Sequence, residues 1–421
     1  MGVHGRTALH VACDHDAPAV VVAALLQVLP KAAIMVGTSN MNPLHITCSS
    51  SHASIHVIRV LLGMDNSDDD GGDEKQQQSQ QQQEKPPSGL HEFVEQSLRM
   101  RDVDGDTPLH AACRCGAPIE VLELLLQAYP EAVMQRDYEG LTPLLRLWVR
   151  YVVILGDDAL ASIQGPADLT GPVLDAWQKT ELLLKVAYHQ LQLEQDQQQS
   201  SLFSPHDNNP KNCLDIIAEE KKVPADPDIA ANNKVPRPFL VVHAVAAVDC
   251  PRPVVRIATV LYPHQVLEKD EEGRTPLLIA AKSPVFKVRD LSDDGYMLED
   301  RIHGDDDTTN NNNSILEDED TSGQPSVIHI LLEASREAAR IRDSNGRLPV
   351  HLALKTGKRW NQGVGDLIQS YPEGLNIPGP STKLVPFQLA AWGTKTDLNT
   401  LFETLRTNPA LLNAVNMNAL I

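Results

Sequence analysis

Apolar positions along this 421-residue chain fall at helical spacing in short bursts, and the bursts return at nearly regular intervals. The clearest unit opens on the polar run Asp102-Val103-Asp104-Gly105-Asp106-Thr107. Pro108-Leu109-His110-Ala111-Ala112-Cys113 follows, and then Pro118-Ile119-Glu120-Val121-Leu122-Glu123-Leu124-Leu125-Leu126. The periodicity predicts two short helices joined by a turn. Asp-x-x-Gly predicts the tight turn before them, because glycine accepts positive φ and aspartate bonds neighbouring backbone amides. Thr107 reads as the N-cap and Pro108 as the first helical residue, where a missing N–H costs nothing.

The unit recurs. Near-copies begin at Gly5, Asn40, Gly140, Gly273 and Gly346, and weaker ones cover Phe239–Ala247 and Lys383–Ala391. His10 to His45, His110 to Leu145 and His243 to Leu278 are each 35 residues apart. One helix pair cannot bury its apolar face alone, whereas a stack can, so the period predicts an all-α solenoid of about eight units. Leu29-Pro30, Tyr129-Pro130, Tyr262-Pro263 and Tyr371-Pro372 punctuate the ends of four units.

Between the units lie polar, low-complexity stretches. The expected organisation is repeats one and two in residues 1–62, a Gln/Asp-rich disordered insert in 63–100, and repeats three and four in 101–190 with an insert near 156–171. A Gln/Asn/Pro-rich insert follows in 191–236, with one apolar island at Cys213–Ala218. Repeat five and the start of six occupy 237–282, an Asp/Asn-rich disordered insert 283–325, and the rest of six with seven and eight 326–415. Asn416–Ala419 reads as the start of another turn.

Thr-Pro-Leu-His-x-Ala at Thr107–Ala112 resembles the ankyrin repeat signature. The resemblance implies that the histidine ties one repeat to the next. It is kept at His10, His45, His110, His243 and His351 and replaced by Leu145, Leu278 and Gln388. Thr-Pro is complete only at Thr107-Pro108, Thr142-Pro143 and Thr275-Pro276. The resemblance further implies recognition of a protein partner by a concave face of hairpin tips and first helices, as a scaffold or adaptor. Candidate tip contacts are Asp104, Asp106, Tyr138, Glu139, Glu271, Arg274, Asn345 and Arg347. Candidate first-helix contacts are Arg114, Arg146, Arg150, Lys282, Lys355 and Lys358. The basic members suggest a groove for an acidic peptide, with ordinary solvated charge as the alternative. Tyr138 is the expected anchor, since interfaces enrich aromatics; packing on a neighbouring tip is its alternative role.

Charge and composition narrow the rest. A formal charge of −20 argues against nucleic acid as the main ligand, because phosphate binding needs a basic footprint. Cys13, Cys48 and Cys113 share one repeat position and read as small core residues; with Cys115, Cys213 and Cys250 they suggest no disulfide framework. No leader or apolar run long enough for membrane insertion is evident, so an intracellular, monomeric protein is expected. His-x-x-Cys occurs three times, but the repeat itself accounts for it, so no metal is expected. Asp102-x-Asp104-x-Asp106 begins like a calcium loop and then has Cys113 where that loop needs Glu. With no GxxxxGK[ST], GxSxG or HExxH motif, neither catalysis nor a cofactor is expected. The alternative to a free-standing adaptor is a regulatory module of a larger protein.

Overall fold

The computed structural model describes residues 5–50, 53–64, 90–200, 239–284, 325–392 and 397–409. Among them all α- and 3-10 segments are helical and no strand occurs. The chain divides into two compact units, Met1–Ala244 with Val248–Cys250, and Val245–Ala247 with Pro251–Ile421.

In the first unit, helices Ala8–Asp14, Pro43–Cys48, Pro108–Cys115 and Pro143–Leu155 stack in one layer. Their partners Ala19–Val28, Ile55–Leu61, Ile119–Ala128 and Gly171–Ser200 stack in the other. The second unit repeats the scheme. Pro276–Lys282, Pro349–Lys355 and Pro386–Trp392 form one layer; Arg252–Leu261, Val327–Ala334, Val364–Ser370 and Leu398–Thr407 form the other. Val241–Ala247 supplies the first helix of repeat five, giving eight helix pairs in chain order among the described residues. The core between layers is thin and made of Leu, Val, Ile, Ala and Cys, with Leu109, Ala111, Ala112, Cys113, Val121 and Leu122 all buried.

The signature residues fill their expected places, although Thr275 stands at its N-cap position without a side-chain cap bond. Thr7 accepts from the His10 backbone N–H at 3.4 Å, and Thr142 from that of Leu145 at 3.4 Å. Proline opens a 3-10 turn at Pro30–Ile34, Pro130–Met134, Pro263–Val266 and Pro372–Asn376, the residue before each being non-helical. These turns bury Ala32-Ala33, Ala132-Val133, Val266 and Leu375. Gly105, Gly140, Gly273 and Gly346 sit at φ between 74° and 81°.

Three boundaries differ from expectation. Leu90–Arg99, placed in the first insert, is a helix whose Val94 and Leu98 are buried and which packs on the Pro30–Ile34 turn. Its apolar residues recur four apart, a period hidden by the glutamine tract upstream. The insert near 156–171 contains the helix Asp157–Ala161 and a 3-10 turn at Pro166–Asp168. The second helix of repeat four runs on to Ser200, past the expected end at 190. The island Cys213–Ala218 and the turn at Asn416–Ala419 lie outside the described residues.

Glycine at the tip serves two purposes that a substitution pair separates. A methyl on Gly105 would stand 2.7 Å from Tyr138 Cγ and 2.7 Å from its backbone N, whereas one on Gly140 meets nothing within 4 Å. Both have the same positive φ. Gly140→Ala is therefore expected to cost about 1 kcal/mol from backbone strain alone, and Gly105→Ala at least about 2 kcal/mol more, by urea unfolding.

Candidate functional site

The site is built from the hairpin tips of repeats three and four and the helices behind them. Asp102 organises the first tip. Its backbone N–H donates to Asp106 O (3.0 Å) and its Oδ1 accepts from the N–H groups of Asp104 and Asp106, each at 2.9 Å. Asp137 does the same one repeat on, accepting from Leu141 N–H at 2.8 Å and donating to Leu141 O at 3.0 Å. Asp270 and Asp343 repeat the arrangement in the second unit. Successive tips in the first unit are joined edge to edge, with Val103 N–H donating to Ser39 O (3.1 Å) and Tyr138 N–H to Asp104 O (3.0 Å). Arg101 adds a clasp to Arg136 O at 2.6 Å and Gln135 Oε1 at 2.8 Å.

Behind the tips, buried imidazoles hold the repeats together. Thr107 N–H donates to His110 Nδ1 at 3.2 Å, so that nitrogen is the acceptor. The ring proton is then on Nε2, which donates to Leu141 O at 3.2 Å, the carbonyl that also closes the next hairpin. His10 joins Thr7 N–H to Met41 O, and His351 joins Leu348 N–H to Ile377 O, in the same way. Burial pushes the pKa of His110 down to about 4 and lowers those of His10, His45 and His351, which keeps the rings neutral. His45 is the exception in partners: it faces two acceptors, Asn42 Oδ1 at 2.8 Å and Asp106 O at 3.0 Å, of which a neutral ring satisfies one. His243 is fully buried.

Repeat four has Leu145 in place of the histidine, and the next residue, Arg146, bonds carboxylates of its own tip and of the preceding repeat. Arg146 reaches Asp137 at 2.6 Å, Glu139 at 3.2 Å and Asp106 at 3.5 Å from a buried position. Burial opposes its charge, but the three carboxylates outweigh it and hold its pKa above the ordinary value. Arg114 lies 3.3 Å from Asp106, 3.7 Å from Asp104 and 3.9 Å from Asp102. Asp106 is fully buried between the two arginines, and desolvation pushes its carboxyl up to about 6 despite them. The cluster therefore holds five carboxylates against two guanidinium groups.

This geometry sorts the residues expected from the sequence. Asp106 and Arg146 are buried ties, not surface contacts: the Arg146 guanidinium lies between Asp106 of one repeat and Asp137 of the next. Arg150 lies against Gly116 with Nη1 3.5 Å from Arg114 O, at a helix C-terminus where a cation is favoured. Arg274 and Arg347 bond the aspartates of their own tips, Asp270 at 2.8 Å and Asp343 at 2.7 Å. Lys358 is buried, its Nζ 2.8 Å from Ser283 O, and burial lowers its pKa to about 8. Asp104, Tyr138, Glu139, Glu271, Lys282, Asn345 and Lys355 are exposed. Tyr138 is 72% exposed although its backbone is bonded to Asp104 and its ring lies against Gly105. Sequence reasoning did not single out Val103, exposed beside Tyr138, nor the Asp137 partner of Arg146. The Asp-x-x-Gly recurrence was the available signal for Asp137.

The His-x-x-Cys pairs have their imidazoles bonded across repeats and their thiols buried, and burial raises the pKa of Cys13 to about 11. No group of three or more His, Cys, Asp or Glu side chains among the described residues could hold a metal ion. In the second unit a cavity of about 380 Å³ is lined by Ser326, His329, Trp360 and Asp366. Ser326 Oγ accepts the His329 backbone N–H at 3.1 Å, and the imidazole bonds Asp366 at 3.0 Å and approaches Glu333 at 3.4 Å. The hydroxyl thus caps a helix, and the ring nitrogens face carboxylates, unlike a nucleophile and its base.

Residues 94–144 match the family model of ankyrin repeats (many copies). The match spans the third repeat and the tip of the fourth, where the signature is most complete. No curated protein matches the chain. No helix among the described residues is long and apolar enough to cross a membrane.

Removing Arg146 leaves Asp106 and Asp137 buried without their shared cation. Arg146→Ala is expected to cost about 3–5 kcal/mol in urea unfolding, and Arg146→Lys to recover only part, since lysine cannot spread several bonds over one planar group. Titration provides a second check. The neutral histidines contribute stability above pH 6.5 that is lost on acidification towards about 4 for His110. Asp106 acts oppositely: its contribution is complete below 3.8 and is lost as pH rises through about 6. Asp106→Asn removes the opposing carboxyl, so stability should fall more steeply between pH 6.5 and 4 in the variant than in the parent. Parallel slopes would contradict this assignment.

Proposed function

We propose that this chain is a non-catalytic recognition module that binds a protein partner through the hairpin tips of repeats three and four. Ankyrin repeats generally mediate protein–protein interaction, and residues 94–144 match that family. The observation that carries the reading is Tyr138, an aromatic side chain held in place yet 72% exposed. A rigid aromatic loses little conformational entropy on binding, and interfaces are anchored on such residues. Val103 extends the apolar surface along the neighbouring tip, and Asp104 and Glu139 flank it.

The charge of this surface favours a different partner from the acidic peptide expected for a basic groove. Arg114 and Arg146 are engaged by the surrounding carboxylates, and Asp104 and Glu139 are the acidic members of the cluster that are exposed. An apolar segment flanked by lysine or arginine is complementary to it. Binding should weaken as salt is raised, because exposed charges are screened beyond about 8 Å at physiological ionic strength.

A photo-cross-linking residue placed at Tyr138 tests the proposal. Specific adducts from position 138, absent when the same group replaces Glu123 on a second helix, are the expected result. Equal labelling from both positions would move the interface away from the tips.

A further inference from the structure

Repeat seven departs from its neighbours where its second helix begins. Counted back from the 3-10 turn that follows each second helix, Asp366 stands at the position of Leu124, Ile257 and Ile330. Those three are buried apolar residues, whereas the Asp366 side chain keeps 29% of its surface exposed. It borders the cavity of about 380 Å³, which His329, Trp360, Asn361 and Gln369 also line. Gly365 shapes one wall. A methyl there would stand 2.8 Å from Trp360 Cε2 and 2.9 Å from its Nε1, so the indole lies directly against the helix backbone. Glycine inside a helix is destabilising, and here it is what admits the ring. The cavity is also short of positive charge. His329 Nδ1 lies 3.0 Å from Asp366, and its Nε2 lies 3.4 Å from Glu333. A neutral imidazole carries one N–H and serves only one of two carboxylates. The charged groups that bear on the ring are Asp366 on the next helix and Glu333 on its own, and the Asp366 hydrogen bond leads them in raising its pKa above 6.5.

We propose that this cavity binds an alkylammonium group, with the cation against the Trp360 ring and the Asp366 carboxylate. An aromatic face beside a carboxylate suits an ammonium on a hydrocarbon stem, whether a free amine or a lysine side chain. The bound cation supplies the charge that the imidazole otherwise takes up as a proton, so ligand and proton compete. A metal ion does not suit the site, because no three His, Cys, Asp or Glu side chains among the described residues converge to hold one. All the residues involved belong to the second unit, so the inference does not rest on recognition at Tyr138.

Titration of the full chain with n-butylammonium tests it, followed by the Trp360 indole N–H signal in proton–nitrogen NMR. Trp360→Phe assigns that signal by its loss. A saturable shift is expected at about pH 8, where the amine is still charged, and none with n-butanol. Asp366→Asn should weaken binding at least about tenfold with the helical circular dichroism unchanged, since the side chain is partly exposed and the swap keeps its shape. Lowering the pH to about 5.5 should weaken binding at least about fivefold in the parent, as His329 takes up its proton. His329→Gln should bind with no such pH dependence. Acetyl-lysine methylamide separates the two sources: binding like that of butylammonium supports a protein lysine as the ligand, and binding of butylammonium alone supports a free amine. No saturable shift, an equal response to n-butanol, or a response that Asp366→Asn leaves unchanged would overturn the inference.

Discussion

A backbone carbonyl that closes one hairpin also receives a proton from the repeat before it, and the stack depends on that shared acceptor. Leu141 O accepts from Asp137 N–H within its own tip and from His110 Nε2 across the repeat boundary. Asp106 O and Met41 O stand in the same relation to His45 and His10. The apolar layers provide most of the burial, but they are non-directional. The imidazole supplies direction, because it reaches its carbonyl only when the two repeats are in register. A buried carbonyl left unmatched is costly, so the contact penalises slippage more than it adds stability.

Repeat four lacks the histidine, and its buried polar group, Arg146, faces carboxylates of its own tip and of the preceding repeat. A buried guanidinium requires carboxylates around it, and Asp106, Asp137 and Glu139 supply them. Of those carboxylates Asp106 and Asp137 are buried and Glu139 reaches the surface of the tip. The packing that orders the tips also holds Tyr138 outward over Gly105. Fold and proposed recognition surface thus rest on one cluster.

Much of this was readable from the sequence. The period, the turn glycines, the Thr-Pro helix starts and the Tyr-Pro punctuation each depend on one residue's local chemistry, and all appear where that chemistry places them. The helix Leu90–Arg99 was obscured because ten amphipathic residues adjoin a long polar tract, and composition over the whole stretch conceals the period. The candidate site was less readable. A sequence shows that Arg146 and Lys358 are charged but not that both are buried, since that depends on side chains one or more repeats away, Asp106 and Asp137 for one and the backbone of Ser283 for the other. Tyr138 could be placed on a tip but not shown to be exposed.

The central claim is that a neutral imidazole with its proton on Nε2, as at His110, joins one repeat to a hairpin carbonyl of the next. Nitrogen-15 NMR of the His110 ring tests it directly. The account predicts a protonated-type Nε2, an unprotonated-type Nδ1, a measurable coupling from Nε2 to the Leu141 carbonyl, and no titration from neutral pH down to about 5, given a pKa of about 4. A proton on Nδ1, or a ring that titrates near the ordinary value of 6.5, would contradict it.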